Sequence, residues 1–551
     1  MGSTRHRSRI GVIVALVIGA AFVVPDLPVE ASVTAVAGPT GLVAIEPCRL
    51  VDTRQVGGRL LDAGEILTVP VVNRCEVPTG SVAVAATVTV TAPIGPGYVS
   101  IGASGSPLGS TSTLNWSAAS ETRANGAIVP LGSNGWLDVF TSTSTHLIVD
   151  VSGYFVPVNS TREGRFVTLE PRRLLDTRNT SVAGLAPDTV QHVPLPAEIP
   201  TDTSAVFVNL TTTASPGFGY FTAYAAGAPR PSASVLNTDG VGQTRASGAI
   251  VPVNGAGFDV YSSTGGHLIV DTIGYFTGPS APESADGLLV LATPTRMMDT
   301  RSDGRDQFWS DGSQALDTAA ATGPATAVVA NVTIAAPAGA GFLTAFPSET
   351  AKPEVSTLNV DRAGQTVANL AIVPSGNAGI YLHSSTGAQV VVDLVGWFTG
   401  PAVAPSASPY VLWNEKPPGP DCSFSPTGRA AVVDRIAQRV WLCEDGVAVT
   451  GWMPFTAGPI NDAPAGEYRV FFKSDPWWGG GYTLRHFTAF TRGDQGGRVA
   501  FHRYVAMNEC QVGTEEFRNV SHGCFRLRAD DAAFVYSFLG YGDRVLILNN
   551  G

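Results

Sequence analysis

The chain repeats itself three times before it changes character. Asp52-Thr53-Arg54 recurs as Asp176-Thr177-Arg178 and Asp299-Thr300-Arg301, and Ser112-Thr113-Leu114-Asn115 as Ser234-Val235-Leu236-Asn237 and Ser356-Thr357-Leu358-Asn359. Asn115, Asn237 and Asn359 are separated by 122 residues in both steps, so the middle of the unit tolerates no change of length, as expected of a packed core. Each unit also carries Ala-Ile-Val-Pro, starting at Ala127, Ala249 and Ala371. Each closes on an aspartate, a glycine and an aromatic pair, over Asp150 to Phe155, Asp271 to Phe276 and Asp393 to Phe398. A unit of this length can bury a core of its own, so the expectation is three beads, 42–158, 165–278 and 287–400, rather than a solenoid.

Within a unit the runs are short, β-branched and bounded by glycine turns, as in Ala83 to Val90 and His146 to Val151. With 61 glycines, 39 prolines and only 14% charged residues, the chain has the composition of strands and turns. The predicted class is mainly β, with one β-sandwich-like domain per repeat. The Asp-Thr-Arg triplet has two readings, a site for a sugar or anion and a structural corner in which arginine pairs with the aspartate of the closing strand. The second is preferred, because half-buried charges are usually paired. The net charge of -11 lies almost wholly before residue 407; beyond it, 14 Lys and Arg meet 15 Asp and Glu. No basic patch for nucleic acid results.

Arg5, Arg7 and Arg9 precede an apolar run from Ile10 to Val24, followed by Pro25 and the small-residue exit Val29-Glu30-Ala31-Ser32. This is the pattern of a signal peptide over 1–31, cleaved after Ala31; a retained anchor is the other reading. The run is shorter than the roughly 20 residues that span a bilayer. An exported chain pairs its cysteines, and the economical pairs are Cys48 with Cys75 and Cys422 with Cys443. Cys510 can also pair with Cys422 or Cys443, and a Cys510–Cys524 bridge is the least favoured of its pairings.

Pro401 to Pro409 reads as a spacer over 401–409. A final domain over 410–551 follows, denser in tryptophan, arginine, histidine and cysteine. Ala430 to Asp434 and Arg439 to Cys443 read as paired strands, Glu444-Asp445-Gly446 as a hairpin, and Arg498 to Tyr504 as a strand that delivers His502 near its end. Ser521-His522-Gly523-Cys524-Phe525-Arg526 sets a thiol among polar groups in a turn, before a helix from Asp530 to about Leu539 that stops at Gly540 and a last strand, Arg544 to Leu548. Trp477, Trp478 and the glycines after them suit a loop that closes over a pocket, or an aromatic pair that plugs a core edge.

Asp434-Arg435, Ala463-Pro464-Ala465-Gly466, His502 and the hexapeptide around Cys524 occur in the order seen in L,D-transpeptidase catalytic domains of the YkuD type. The resemblance covers about residues 410 to 549. It implies a β-rich catalytic domain that remodels peptidoglycan through a cysteine acyl-enzyme, with Cys524 as nucleophile and His502 as its base. His486, also upstream, does not fit the spacing. The oxyanion hole and pocket would be formed around Ser521, His522, Gly523 and Arg526, with Arg526 orienting the pocket or a substrate carboxylate, or serving as a structural ion pair. Two departures stand out: Arg503 follows the histidine where glycine or serine is usual, and Ala463 replaces a threonine. An arginine at 503 is able to crowd the pocket or repel an imidazolium, which bears on substrate and efficiency more than on the thiol itself.

The three units resemble repeats of about 120 residues carried in tandem by exported proteins of high-GC Gram-positive bacteria, often beside cell-wall enzymes. The implied reaction is a 3-3 cross-link between stem peptides, with the repeats as wall-binding or spacer modules on cell-wall polymers. Two alternatives remain: an L,D-carboxypeptidase in which water accepts the acyl group, and a non-catalytic wall-binding protein. The expected location is extracytoplasmic. No cofactor, metal or obligate protein partner is called for; no cluster has zinc-ligand spacing.

Overall fold

The computed structural model describes residues 38–548, apart from 56–57, 180–183, 415–421, 423–425, 435–438, 451–452, 457–463, 480–481, 493–497, 505–523 and 528. The amino-terminal segment read as a signal peptide and Cys510 therefore lie outside the described residues. The protein is mainly β. In the first unit the strands Thr40–Asp52, His146–Pro157, Ala83–Thr91 and Arg123–Pro130 form one antiparallel sheet, in that order. Ile66–Pro70, Trp136–Thr141, Gly97–Ala103 and Leu114–Trp116 form a second. The same order recurs in the second unit, from Phe166–Asp176 onward, and in the third, from Leu289–Asp299 onward. Val84, Val88 and Val90 turn inward between the two sheets of the first unit, against Leu114, Trp116 and Val139.

The units are not separate beads. Ala83 and Ala85, on the other side of the same strand as Val84, face a second core shared by all three units. Both faces of that strand are covered, so an Ala83-to-Val90 run without charged residues is what it needs. Aromatic rings meet in this shared core: the closing Phe276 and Phe398 lie 5.9 Å apart, ring centre to ring centre, and Phe166, which opens the second unit, lies 5.2 Å from Phe276 and 4.7 Å from Phe398. The contacts run cyclically. Thr122 N–H donates to Asp239 (2.7 Å), Thr244 N–H to Asp361 (2.8 Å) and Thr366 N–H to Ser117 Oγ (2.9 Å), linking first to second, second to third and third to first. Thr40 pairs with Leu289, which joins the main sheets of units one and three into eight strands. A single chain has thus closed a pseudo-threefold ring, the arrangement that head-to-tail interfaces give in a cyclic trimer.

The Asp-Thr-Arg triplet is a corner, but its arginine pairs differently from the expectation. Arg54 donates to Asp52 of its own triplet (Nε 2.9 Å), as do Arg178 to Asp176 (2.8 Å) and Arg301 to Asp299 (2.7 Å). The closing-strand aspartates Asp150, Asp271 and Asp393 are held instead by Arg49, Arg173 and Arg296, which stand directly opposite them in the ladder. The threonine hydroxyl completes the corner by accepting the N–H of Leu147, Leu268 or Val390. The repeated element is therefore Arg-x-x-Asp-Thr-Arg.

The segment read as a spacer lies along the third unit. Val403 N–H donates to Ser375 O (2.7 Å), Ser406 N–H to Glu349 O (2.9 Å) and Tyr410 N–H to Thr350 O (2.8 Å). Main-chain donors find carbonyl partners there, and the Tyr410 ring packs on Phe346 and His383.

Beyond it a sheet runs in the order Gly466–Arg469, Arg544–Leu548, Arg429–Asp434, Arg439–Glu444, Met453–Thr456, Phe525–Leu527, Arg498–Tyr504, Tyr482–Arg492 and Phe472–Ser474. Asp445 (φ 50°) and Gly446 (φ 80°) turn the expected hairpin, since both central residues of that turn need positive φ. The helix spans Ala529–Phe538 with Asp530 and Asp531 in its first turn, where negative charge meets the positive end of the helix dipole. Lys473 Nζ caps the other end through Tyr536 O (2.5 Å) and Leu539 O (2.6 Å). Ala532, Val535 and Leu539 pack on Phe501, Phe525 and Val545. Cys48–Cys75 and Cys422–Cys443 are disulfides, the pairs expected from spacing. No helix among the described residues is long and apolar enough to cross a membrane.

Candidate active site

Cys524 is set by the strand that follows it. Phe525–Leu527 pairs in parallel with Arg498–Tyr504, matching Phe501 with Phe525 and His502 with Arg526. Alternate strand residues point to opposite faces. Phe501 and Phe525 therefore enter the main core together, with ring centres 5.6 Å apart. Cys524 and Arg526 share the other face with Ala500 and His502, and Cys524 packs against the buried cluster of Leu484, Phe487, Ala489 and Ala500. His502 stands opposite Arg526, so Cys524 and His502 lie two residues apart in register on neighbouring stretches of chain. The thiol is half-buried and unoxidised, and donates to Arg498 O at 3.4 Å.

His502 is 3% exposed and lies nearly parallel to Phe487, 5.9 Å between ring centres. Burial pushes its pKa down to about 4; the Arg526 guanidinium adds to the fall, and the Arg503 main chain opposes it. The imidazole is therefore neutral at neutral pH, able to accept a proton. Its Nδ1 is buried without a side-chain or main-chain hydrogen bond of good geometry among the described residues.

Arg503, expected to crowd the pocket, is turned away by the pleat of its strand: it sits on the face opposite His502 and pairs across the sheet with Arg485. His486 lies at an irregularity of the neighbouring strand, with φ of 56°, and its Nδ1 meets Asp475 at 3.0 Å. Trp477 and Trp478 are placed in a strand, not a loop, opposite Leu484 and Thr483. Ser521, His522 and Gly523 lie outside the described residues. Phe487 and the Arg498 carbonyl were not foreseen. Alternation counted along Tyr482–Arg492 would locate Phe487 only if the register were continuous, and it shifts between Arg485 and Thr488.

Residues 428–547 match the family model of the L,D-transpeptidase catalytic domain, YkuD. This part of the chain is an L,D-transpeptidase catalytic domain. Solved L,D-transpeptidases are similar to it. The one from Stackebrandtia nassauensis is 24% identical over 22% of this chain and 57% of its own, with a TM-score of 0.19. That from Xylanimonas cellulosilytica is 19% identical over 24% of this chain and 65% of its own, TM-score 0.19. That from Mycobacterium smegmatis is 20% identical over 31% of this chain and 74% of its own, TM-score 0.19. The chain thus spans less than two thirds of the first two L,D-transpeptidases. No curated protein matches it.

Proposed function

We propose that the protein is an exported peptidoglycan L,D-transpeptidase that joins stem peptides by 3-3 cross-links through an acyl-enzyme on Cys524. The observation that carries this reading is the shared face of Cys524 and His502, with the histidine held neutral and Arg526 beside it. A thiol of ordinary pKa about 8.5 is mostly protonated at neutral pH and needs a base. His502 takes the Cys524 proton as Sγ attacks the carbonyl of the diamino acid in a tetrapeptide stem. Collapse breaks the peptide bond, and the terminal D-alanine leaves with the proton from His502. The side-chain amine of a second stem then attacks the thioester, His502 accepts its proton, and Sγ departs and regains a proton. Main-chain N–H groups around His522, Gly523 and Cys524 would hold the oxyanion, and Arg526 would orient the pocket or the substrate carboxylate.

Two disulfides and the signal-peptide pattern support an extracytoplasmic location. The 42–400 repeats are assigned the mounting of the catalytic domain at the wall, which the docking of residues 403–413 on the third unit supports. Incubating the full chain with a tetrapeptide stem tests the reaction by mass: a cross-linked dimer supports it, tripeptide alone makes the enzyme a carboxypeptidase, and unchanged stem leaves a binding protein. In addition, the intact protein should gain the mass of one carbapenem, and Cys524→Ala should gain none. An adduct that survives in Cys524→Ala would remove the nucleophile from the scheme.

A further inference from the structure

Where the three units meet, equivalent positions line one small cavity: Leu114, Arg123 and Ala124 of the first unit, Leu236, Arg245 and Ala246 of the second, Val367 and Ala368 of the third. Asn115 and Asn237 complete the lining. The cavity is small, admitting the centre of a water-sized sphere over about 10 Å³, which is room for about one guest of that size. Arg123 and Arg245 are 4% and 3% exposed. In each, Nε and Nη2 are buried and have no hydrogen-bond acceptor among the described residues. Buried guanidinium edges left in that state are rare in folded proteins and call for a bound partner.

The nearby carboxylates do not supply it. Glu121 comes no closer than 3.7 Å to Arg123 Nη2, and Asp239 no closer than 3.8 Å to Arg245 Nη2. The oxygens that face the arginines accept from other side chains, Glu121 Oε1 from Arg362 at 3.3 Å and Asp239 Oδ1 from Gln243, and the second oxygens accept the main-chain N–H groups of Ser117 and Thr122, both at 2.7 Å. Asp361 also accepts a main-chain N–H, from Thr244, and binds Arg245 through Nη1, leaving the Nε edge. No carboxylate lines the cavity, whereas two cations do. The side-chain carbonyls of Asn115 and Asn237 each accept a serine hydroxyl, from Ser112 at 3.0 Å and Ser234 at 3.4 Å, which leaves the amide N–H₂ groups as their donor ends.

We infer that this junction is a binding site for a small monovalent anion of halide size, held between Arg123 of the first unit and Arg245 of the second. Val367 stands where the third arginine would be, so the site carries two lining cations rather than three. The anion supplies the acceptor that both guanidinium edges lack and offsets their mutual repulsion. Burial, with the Arg245 charge adding to it, brings the Arg123 pKa down to about 10 against the opposing pull of Glu121, Asp239 and Asp361. An anion bound only by the closed ring stabilises it by mass action.

The test uses the full chain and two probes, bromide and chloride. Crystals grown in bromide should show an anomalous peak between Arg123 and Arg245. The urea midpoint of the repeat body should be higher in chloride than in gluconate at equal ionic strength, and should rise with the logarithm of chloride concentration. Arg245→Val, which copies the third unit, should abolish that dependence. Equal midpoints in the two salts, a peak-free cavity, or a chloride dependence that persists in Arg245→Val would overturn the proposal. If Arg245→Val does not fold, the bromide peak in the unaltered protein still decides, with water alone in the cavity as the outcome against it.

Discussion

A histidine that serves a cysteine can either hold a thiolate as an ion pair or wait neutral for a proton. In the proposed reaction His502 would take the second part, since its imidazole is neutral at neutral pH. It is enclosed by its strand and by Phe487, and the Arg526 guanidinium that acts on it is positive. Its pKa therefore falls from about 6.5 in the unfolded chain to about 4. Below 6.5 the unfolded chain binds a proton that the folded one refuses, so this contribution to stability is whole above pH 6.5 and is lost as pH falls toward 4. In the reaction proposed above, the same histidine would set the acid limb. The kcat/KM profile with a stem substrate should hold its value through pH 6 and fall near pH 4, and His502→Gln should lose roughly 10²–10⁴-fold. A limb at pH 6.5 would show that His502 titrates as if exposed. Motif order pointed to Cys524 and His502, because a strand-end histidine and a signature cysteine survive as local patterns, and the strand register puts both on one face. Phe487 was not, because the register shift that brings it to His502 depends on the neighbouring strand.

At the scale of single elements, ladder register and close approach determine what each position accepts. Arg49, Arg173 and Arg296 went unread because their partners lie about a hundred residues away and face them only once the closing strand has paired. Asp-Thr-Arg was legible as a corner because its aspartate, threonine and arginine act within a few residues. Burial raises the pKa of Asp150, Asp271 and Asp393 against the pull of those arginines, whereas hydrogen bonds from Arg54, Arg178 and Arg301 lower that of the triplet aspartates. Gly126 and Gly248 stand at the axis where Leu370 stands in the third unit. A Cβ on Gly126 would meet Gly248 O, and one on Gly248 would meet Leu370 O, both well inside contact distance. Two glycines thus make room for one leucine. Gly248→Ala should lower the urea midpoint by the equivalent of about 1–3 kcal/mol, as overpacking does. Gly217→Ala, with nothing within 4 Å of its Cβ, should change it by less than about 0.5 kcal/mol. Equal effects would mean that the axis relaxes freely.

The whole repeat body depends on closure. A unit has a core between its own sheets, and that much follows from the period and the strand pattern. Its main sheet also presents an apolar outer face, and here the sequence leaves two readings: a face toward solvent in a separate bead, or a face toward two copies of itself. The closing Phe155, Phe276 and Phe398 repeat identically in either case, so periodicity alone cannot distinguish them. The structure chooses the second, through a shared core and cyclic hydrogen bonds that no single unit can make. It follows that residues 38–400 should unfold as one cooperative transition, since opening any unit exposes part of the common core. Residues 38–158 alone would expose Leu42, Ala85, Ile128 and Phe155 to water. That fragment should associate, with trimers favoured because the first unit already carries complementary surfaces for both neighbours, or else fail to fold. Sedimentation of the fragment and calorimetry of 38–400 test this; a monomeric, cooperatively folded 38–158 would restore the independent bead and make the shared core dispensable to the fold.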